Sequence, residues 1–181
     1  ADGGSLVLSL AEKEQLRLPS QLLRLAPPYV GSTEFIDGKQ RYCLWIAEAD
    51  LPTACQLPEI ASRVAAVRSF RLASKKKPTQ MAAERSHSFV EIRHGTEKAS
   101  SAPLIIPIHT SENRDHLPVG FLPAGSVISN AAFGLYDAPL WTLALIASRL
   151  HLMWIATVCG KIKTDFRYSN TLGWNTFPVP L

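Results

Sequence analysis

The segment from Gly160 to Ser169 holds the side chains whose types and spacing are best suited to chemistry. Its polar and apolar residues alternate, as they do in an extended strand with one packed face. The polar side of that strand would carry Lys161, Lys163, Asp165, Arg167 and Ser169. Lysine and arginine donate to the O6 and N7 atoms of guanine, and aspartate accepts from the N4 amine of cytosine. The segment therefore offers contacts to both members of a G·C pair, although a solvated edge strand blunted by charges has the same alternation.

A long apolar segment precedes this strand and predicts the helix that positions it. Asp137 is a favourable N-cap residue, and Gly160 is placed to end the last turn. The helix expected over residues 138–158 is apolar nearly all round, which is typical of a helix in the middle of a core. Arg149 and His151 lie at its centre, and an arginine there costs roughly 2.5 to 3.5 kcal/mol on membrane insertion. We therefore expect a core helix rather than a membrane span.

Shorter elements are predicted along the rest of the chain. Ser9 and Glu12 form a capping box at the start of a helix, and Asp37-Gly38 predicts a hairpin turn. Pro58 begins a helix that the pattern extends to Ser74. Strand candidates are Phe89–Arg93, Leu104–Ile108 and Val127–Ser129. Together these elements predict an α+β fold in which short, mostly antiparallel strands pack around one long buried helix.

A basic surface is predicted on the helix that begins at Pro58. From Glu59 to Lys77 the chain holds 6 basic residues and 1 acidic residue. Five of these basic residues, which we call the cationic set, are Arg68, Arg71, Lys75, Lys76 and Lys77. The first three recur at intervals of three and four, so they fall on one helical face. We assign the set to the phosphates of a polyanion, and a merely solvated helix surface is the alternative.

Composition and charge bound the class of protein. With 181 residues, 46% of them hydrophobic, the chain is long enough for one well-filled core and too short for two comfortable domains. Residues 1–60 carry 5 basic and 8 acidic groups, whereas residues 61–181 carry 14 and 7. The positive excess in the second part indicates a polyanionic partner. Three cysteines without CxxC spacing, and an N-terminal sequence unlike a signal peptide, lead us to expect a cytoplasmic protein with buried thiols.

No catalytic or metal-binding constellation is predicted. The tetrapeptide Ala26-Pro27-Pro28-Tyr29 differs at its first position from the catalytic motif of amino-methyltransferases, (Asp, Asn or Ser)-Pro-Pro-(Tyr or Phe). That chemistry needs a side-chain oxygen to accept a hydrogen bond from the exocyclic amine of the flipped base, and alanine has none. No glycine-rich loop follows a strand to hold a cofactor. This chain alone is therefore not expected to be an enzyme or to bind a cofactor or a metal.

Several motifs resemble one known family. The segment Gly160–Ser169, followed by Leu172–Pro180, is similar to the end of the target recognition domain of MmeI-like single-chain type II restriction-modification enzymes. Further similar segments are Arg41–Ile46, Pro58 with Arg63-Val64 and Arg68, Ser111–Arg114 with Leu117-Pro118, and Ser148–Trp154. These motifs are long, keep the family's order and extend over essentially the whole chain.

The resemblance implies a division of labour along a longer polypeptide. Residues 31–181 would form the DNA target recognition domain, and residues 1–30 would connect it to a methyltransferase domain of the same polypeptide. That parent would be an adenine-specific DNA methyltransferase and restriction endonuclease that uses S-adenosylmethionine and Mg²⁺. The partner would be double-stranded DNA approached from the major groove, with no membrane involved.

The resemblance also assigns roles to individual residues. The family's base-contacting positions correspond here to Lys163, Asp165 and Arg167, and the preference they indicate is for one G·C pair. Lys161 and Ser169 join the cationic set as contacts to the DNA backbone. Two other functions stay open at this point, namely an independent DNA-modifying enzyme fragment and a protein-interaction domain.

Overall fold

The computed structural model describes residues 2–92 and 102–179, which divide into two compact units. The first unit contains residues 2–29 and 40–92, and the second contains residues 30–39 and 102–179. The units change between residues 29 and 30, and residues 40–92 pack with the N-terminal segment. That residues 1–30 connect to a methyltransferase domain stays a prediction.

The described residues form an α+β structure, and its strands are short. The α-helices are α1 (Leu10–Gln15), α2 (Ser32–Asp37), α3 (Leu51–Ala54), α4 (Pro58–Leu72), α5 (Lys77–Met81), α6 (Leu140–Ala147) and α7 (Arg149–Val158). The strands are β1 (Val7–Leu8), β2 (Tyr29–Val30), β3 (Tyr42–Cys43), β4 (Leu104–Pro107), β5 (His109–Thr110), β6 (Gly120–Phe121), β7 (Val127–Ile128), β8 (Ala132–Leu135), β9 (Lys161–Ile162) and β10 (Asp165–Arg167). The pairs β1–β3, β4–β6, β4–β8, β5–β10 and β9–β10 are antiparallel, which confirms the predicted fold class.

The first unit begins with the capping box that the sequence predicts. The Ser9 N–H donates to Glu12 Oε2 at 2.8 Å, and the Glu12 N–H donates to Ser9 Oγ at 3.2 Å. Arg63 Nη2, from α4, donates to Glu12 Oε1 at 2.6 Å. The Ser9 N–H and the Arg63 guanidinium together lower the pKa of Glu12 to about 2. This hydrogen bond from Arg63 links the capping box of α1 to α4.

Helix α4 contributes one stripe of residues to the first unit's core. Ile60 and Val67 are fully buried, and Arg71 is buried on the same stripe. These positions are separated by seven and four residues, which keeps them on one side of a helix with 3.6 residues per turn. Phe70, which the sequence pattern assigns to the buried side, is 49% exposed.

Two predicted β features, the hairpin turn at Asp37-Gly38 and the strand that begins at Phe89, are not observed in the described residues. The Asp37-Gly38 pair does not form a hairpin turn; it ends α2, and Gly38 adopts φ +68° as the left-handed C-cap residue. The segment Phe89–Ile92 contains no strand, and Arg93, the last residue of that prediction, lies outside the described residues. Aspartate followed by glycine suits a helix C-terminus as well as a hairpin, because both need positive φ at glycine.

The second unit is built around β4. This strand lies between β6 and β8, with Leu104 opposite both Phe121 and Leu135. All four of its residues are buried, as expected for an inner strand covered on both faces. Pro107 is its last residue, where the missing N–H disturbs the ladder least.

The predicted single helix over residues 138–158 is instead two helices. They are bent by 60° at Ser148, which has an extended backbone and caps α7. Ser148 Oγ accepts from the His151 N–H at 3.1 Å and donates to the Leu145 carbonyl at 2.7 Å. Asp137 is not the N-cap residue, because it has φ +54° and α6 begins after Pro139.

The two helices are also not buried all round. Leu140, Trp141 and Leu150 are between 57% and 73% exposed, while Ile146 and Ile155 are fully buried. Each helix therefore packs one side on the core. Among the described residues, no single helix is long and apolar enough to cross a membrane; α6 and α7 satisfy length and composition only when counted together across their bend.

Candidate nucleic-acid interface

The segment that carries the proposed base-contacting residues is a β-hairpin in the second unit. Strands β9 and β10 pair antiparallel, with Ile162 opposite Asp165 and Lys161 opposite Phe166. Two residues connect them, Lys163 and Thr164, and Lys163 adopts φ +57°. The prediction of one extended strand over residues 161–169 is therefore wrong, because the chain reverses at Lys163.

The two faces of the hairpin differ in burial. Phe166 and Tyr168 are 8% and 3% exposed and belong to the main apolar cluster of the second unit. Asp165 and Arg167 alternate with them and are exposed, as the sequence alternation predicts. On the neighbouring strand β5, Thr110 lies opposite Phe166 and is buried. Strand β10 thus has one packed face and one polar exposed face.

Register places two further residues on the exposed face that sequence reasoning missed. Ile162 lies opposite Asp165, and the exposed His109 lies opposite Arg167. Residues directly opposite each other on paired strands share a face. We call Lys163, Asp165, Arg167, Ile162 and His109 the hairpin surface. Nothing in the spacing of His109 or Ile162 along the sequence indicates this neighbourhood; only the strand register does.

Lys161 lies on the other face of the hairpin. It is opposite Phe166, and its Nζ atom is 5.2 Å from the centroid of that ring. A lysine over an aromatic face gains about 0.5 to 1 kcal/mol when exposed. Lys161 and Lys163 therefore do not share the single polar side that the sequence alternation predicts, although Lys161 remains exposed and available to a phosphate.

The charged groups of the hairpin surface are not neutralised by other residues that the structure describes. Across residues 2–92 and 102–179, no ion pair joins Lys163, Asp165 or Arg167 to an opposite charge. Gly160 lies beside Arg167, and the Arg167 N–H donates to the Gly160 carbonyl at 2.9 Å. A Cβ at Gly160 would meet no atom within 4 Å, so the space beside the Gly160 Cα atom is open.

A buried aromatic cluster supports the hairpin from below. The Tyr168 N–H donates to the Ile108 carbonyl at 2.7 Å, and the Tyr168 hydroxyl lies 3.2 Å from His151 Nε2. The His151 ring also contacts Trp174 and Phe177, at centroid distances of 6.2 and 4.6 Å. Because Tyr168 follows Arg167 directly, these contacts fix the end of β10.

Protonation of His151 should loosen this support. His151 has no exposed surface, and burial lowers its pKa to about 4. A folded-state pKa below the unfolded value of about 6.5 means that the unfolded state binds the proton more tightly. We expect the free energy of unfolding to fall by up to about 3 kcal/mol as pH drops from about 6.5 to about 4.

Urea unfolding at a series of pH values, followed by tryptophan fluorescence, measures this dependence. His151→Gln is the matched variant, because its amide can still bond to Tyr168 but does not titrate. The variant should show a smaller loss of stability over the same pH range. Identical pH profiles for the two proteins would contradict a buried, neutral His151.

The structure changes the role of one member of the cationic set. Arg71, assigned above to the DNA backbone, has no exposed surface. Its Nη1 donates to the carbonyls of Ala82 and Arg85 at 2.8 and 2.7 Å, and its Nη2 donates to the Ser88 carbonyl at 2.7 Å. Burial lowers its pKa. Arg71 is thus a core residue of the first unit and is not available to a phosphate.

The other members of the set remain accessible. Arg68, Lys75, Lys76 and Lys77 are exposed residues at and beyond the end of α4. Ser169 is half-buried, and its Oγ accepts from the Leu172 N–H at 3.4 Å as the N-cap of the turn Asn170–Trp174. Its hydroxyl proton is not used by that cap, so a phosphate contact from Ser169 stays a prediction.

The polar loop after β5 and the methyltransferase-like tetrapeptide also carry residue types of chemical interest. In the polar loop after β5, Asp115 lies 3.6 Å from Arg149, and both side chains are largely exposed. Ala26, the first residue of the methyltransferase-like tetrapeptide, is buried, and the Pro27 carbonyl accepts from the Cys43 N–H at 3.1 Å. Within the described ranges, no group of three or more His, Cys, Asp and Glu side chains is placed to hold a metal ion.

Comparison with known proteins gives consistent results. The chain matches the model of the MmeI target recognition domain over residues 1–181. It is 34% identical over 180 residues to DNA methyltransferase A of Bacillus subtilis (strain 168), covering 99% of this chain. It is also similar to the solved structure of the type IIL restriction-modification enzyme MmeI in complex with DNA, with a TM-score of 0.88, 31% identity and 99% of this chain covered. The chain spans 20% of the length of the first relative and 24% of the second.

Proposed function

The chain belongs to the family of MmeI target recognition domains, and from this premise we propose that it recognises a specific sequence in double-stranded DNA. The hairpin surface would contact base edges in the major groove. The exposed cationic residues would hold the sugar-phosphate backbone. The relative solved with DNA and the fold likeness at a TM-score of 0.88 support the DNA partner.

The observation that carries the proposal is the two-faced hairpin. A two-stranded β-ribbon is narrow enough to enter the major groove. Its exposed face offers guanidinium and ammonium donors and a carboxylate acceptor, none of them neutralised by a neighbour in the described chain. Its other face is anchored by Phe166 in the apolar cluster. Charged side chains that stay rigid and unpaired are what direct base contacts require.

The spacing of residues along β10 indicates which base pairs Asp165 and Arg167 would contact. Asp165 and Arg167 are two residues apart on β10, a separation of about 6.8 Å along a strand. Successive base pairs are about 3.4 Å apart along the duplex. The two side chains would therefore contact pairs that are two steps apart, with Arg167 donating to a guanine and Asp165 accepting from a cytosine. Lys163, at the tip of the hairpin, would reach the pair on the far side of Asp165.

Selection from a random duplex pool tests this function. The intact polypeptide should enrich duplexes that share a short motif containing at least one G·C pair. It should bind an enriched duplex at least about 10³-fold more tightly than a scrambled one, as specific binding commonly does. Equal affinity for enriched and scrambled duplexes would contradict sequence recognition.

The role of the exposed lysines predicts a change in salt dependence. Removing one phosphate contact by Lys76→Ala should lower the slope of log affinity against log salt by about 0.9 and weaken all duplexes alike. Affinities for one enriched and one scrambled duplex at several salt concentrations measure both effects.

Lys39→Ala is the matched control, since its ammonium already lies 2.8 Å from the Asp37 carboxylate. That variant should keep the wild-type slope. A changed sequence preference in Lys76→Ala, or an unchanged slope, would rule out a phosphate contact by Lys76.

The parent activity follows from the same premise. We place S-adenosylmethionine and Mg²⁺ binding, with methyl transfer and cleavage, in other parts of a longer polypeptide, since this chain spans only 20% and 24% of the length of its two relatives. Two alternatives predict different results. Methyl transfer to duplex DNA by this chain alone would identify an independent enzyme, and salt-insensitive binding to a folded protein would identify a protein-interaction domain.

A further inference from the structure

Ile162 is an apolar residue on the hairpin surface. It is 46% exposed, and none of the three apolar clusters defined in the described residues includes it. Its strand, β9, is the edge of a three-stranded sheet in the order β5, β10, β9. Single exposed apolar side chains are common on proteins, so exposure alone indicates nothing. The position of Ile162 among charged residues is what distinguishes it.

The strand register fixes that position. Ile162 and Asp165 close the hairpin as a directly opposite pair, and Cα atoms in such a pair lie about 5.5 Å apart. Their side chains share the exposed face. Base pairs repeat about every 3.4 Å. The distance between the two residues exceeds one such step, so a side chain beside Asp165 faces a neighbouring base pair. When Asp165 contacts a base, the apolar side chain of Ile162 would therefore lie beside the edge of a base as well.

The major groove presents one apolar group to such a side chain. Thymine carries a C5 methyl group there, whereas the other three bases present hydrogen-bonding atoms and C–H edges. We propose that Ile162 forms a binding site for the C5 methyl group of a thymine in a base pair adjacent to the C·G pair contacted by Asp165. The site rests on the proposed function, and it adds an apolar contact to recognition that is otherwise carried by charge.

Replacing thymine by uracil removes only that methyl group and so tests the site directly. In a duplex enriched by the intact polypeptide, each thymine is replaced by deoxyuridine in turn. One replacement, next to the pair at which Asp165→Asn relaxes discrimination, should weaken wild-type binding about fourfold, the value of one buried methyl group. The Ile162→Ala variant should bind the thymine and uracil duplexes equally, and Ile162→Val should keep part of the difference.

The possible outcomes distinguish a failure of the methyl-binding site from a failure of the proposed DNA sequence recognition. Failure to enrich any motif would overturn both. An enriched motif with no thymine in a pair next to the Asp165 position, or wild-type binding that is unchanged by the uracil replacement there, would overturn the methyl site alone. A uracil effect that persists unchanged in Ile162→Ala would assign the methyl contact to another residue and would also overturn it.

Discussion

Arg167→Ala is expected to cost about 1 to 3 kcal/mol of binding free energy at one base pair and to relax discrimination there. Arg167 is exposed on β10 and follows the buried Phe166. Its guanidinium can donate to O6 and N7 of one guanine together, which makes arginine the strongest discriminator of that base. Affinities for duplexes carrying each of the four base pairs at every position of the enriched motif measure the effect.

Lys161→Ala is the control on the same hairpin. Lys161 lies over the Phe166 ring on the opposite face, so its loss should weaken binding to all sequences alike. Neither side chain is part of the buried cluster. In urea unfolding, Arg167→Ala should keep the wild-type free energy of unfolding to within about 0.5 kcal/mol, and Lys161→Ala should lose no more than the roughly 1 kcal/mol of its contact with the Phe166 ring. Uniform weakening by Arg167→Ala would reassign Arg167 to a phosphate contact.

The largest effect on stability is expected from Arg71→Met. This substitution keeps a long side chain but leaves the carbonyls of Ala82, Arg85 and Ser88 without the guanidinium donors that they have in the wild type. Leaving buried acceptors without their charged donor should cost about 3 to 5 kcal/mol. Urea unfolding gives the free energy, and the fluorescence of Trp45 reports on the first unit.

Arg68→Met is the matched control, because Arg68 lies one turn earlier on α4 and is exposed. Its effect on stability should stay within about 0.5 kcal/mol, while its affinity for every duplex should fall. Equal destabilisation by the two variants would contradict the buried role of Arg71. Weakened DNA binding by Arg71→Met without loss of stability would restore the phosphate contact.

The contrast between the exposed Arg68 and the buried Arg71 shows that the sequence predicts helix α4 but does not predict which of its faces is buried. The helix itself was predictable from Pro58 and its apolar spacing. Which face is buried was not, because an arginine can occupy a core stripe when carbonyls are presented to it. Those carbonyls come from the turn at residues 82–88, and no local pattern reveals that this turn folds back over the helix.

The sequence pattern likewise predicts some features of the hairpin and not others. The alternation of Asp165, Phe166, Arg167 and Tyr168 predicts their burial correctly, since it depends only on the period of a strand. The reversal at Lys163 and Thr164 was missed because neither residue is a favoured turn residue. Positive φ at a lysine is supported by pairing on both sides of the turn rather than by its own preference.

The sequence pattern does not predict the break between α6 and α7 at Ser148, for another reason. Apolar residues continue through it, with no proline or glycine to interrupt the pattern. Serine is nevertheless a strong N-cap residue, and the capping bond to the His151 N–H gives α7 its own start. The bend directs His151 into the buried cluster below Tyr168, which links this missed feature to the hairpin surface.

Base analogues test whether the exposed face of the hairpin contacts base edges. In an enriched duplex, replacing each guanine by 7-deazaguanine removes one N7 acceptor without changing the backbone. We expect one replacement to weaken wild-type binding severalfold but to have no further effect on the binding of Arg167→Ala. If every replacement weakens the wild type and Arg167→Ala by the same factor, Arg167 does not touch a guanine and the hairpin does not contact bases as proposed.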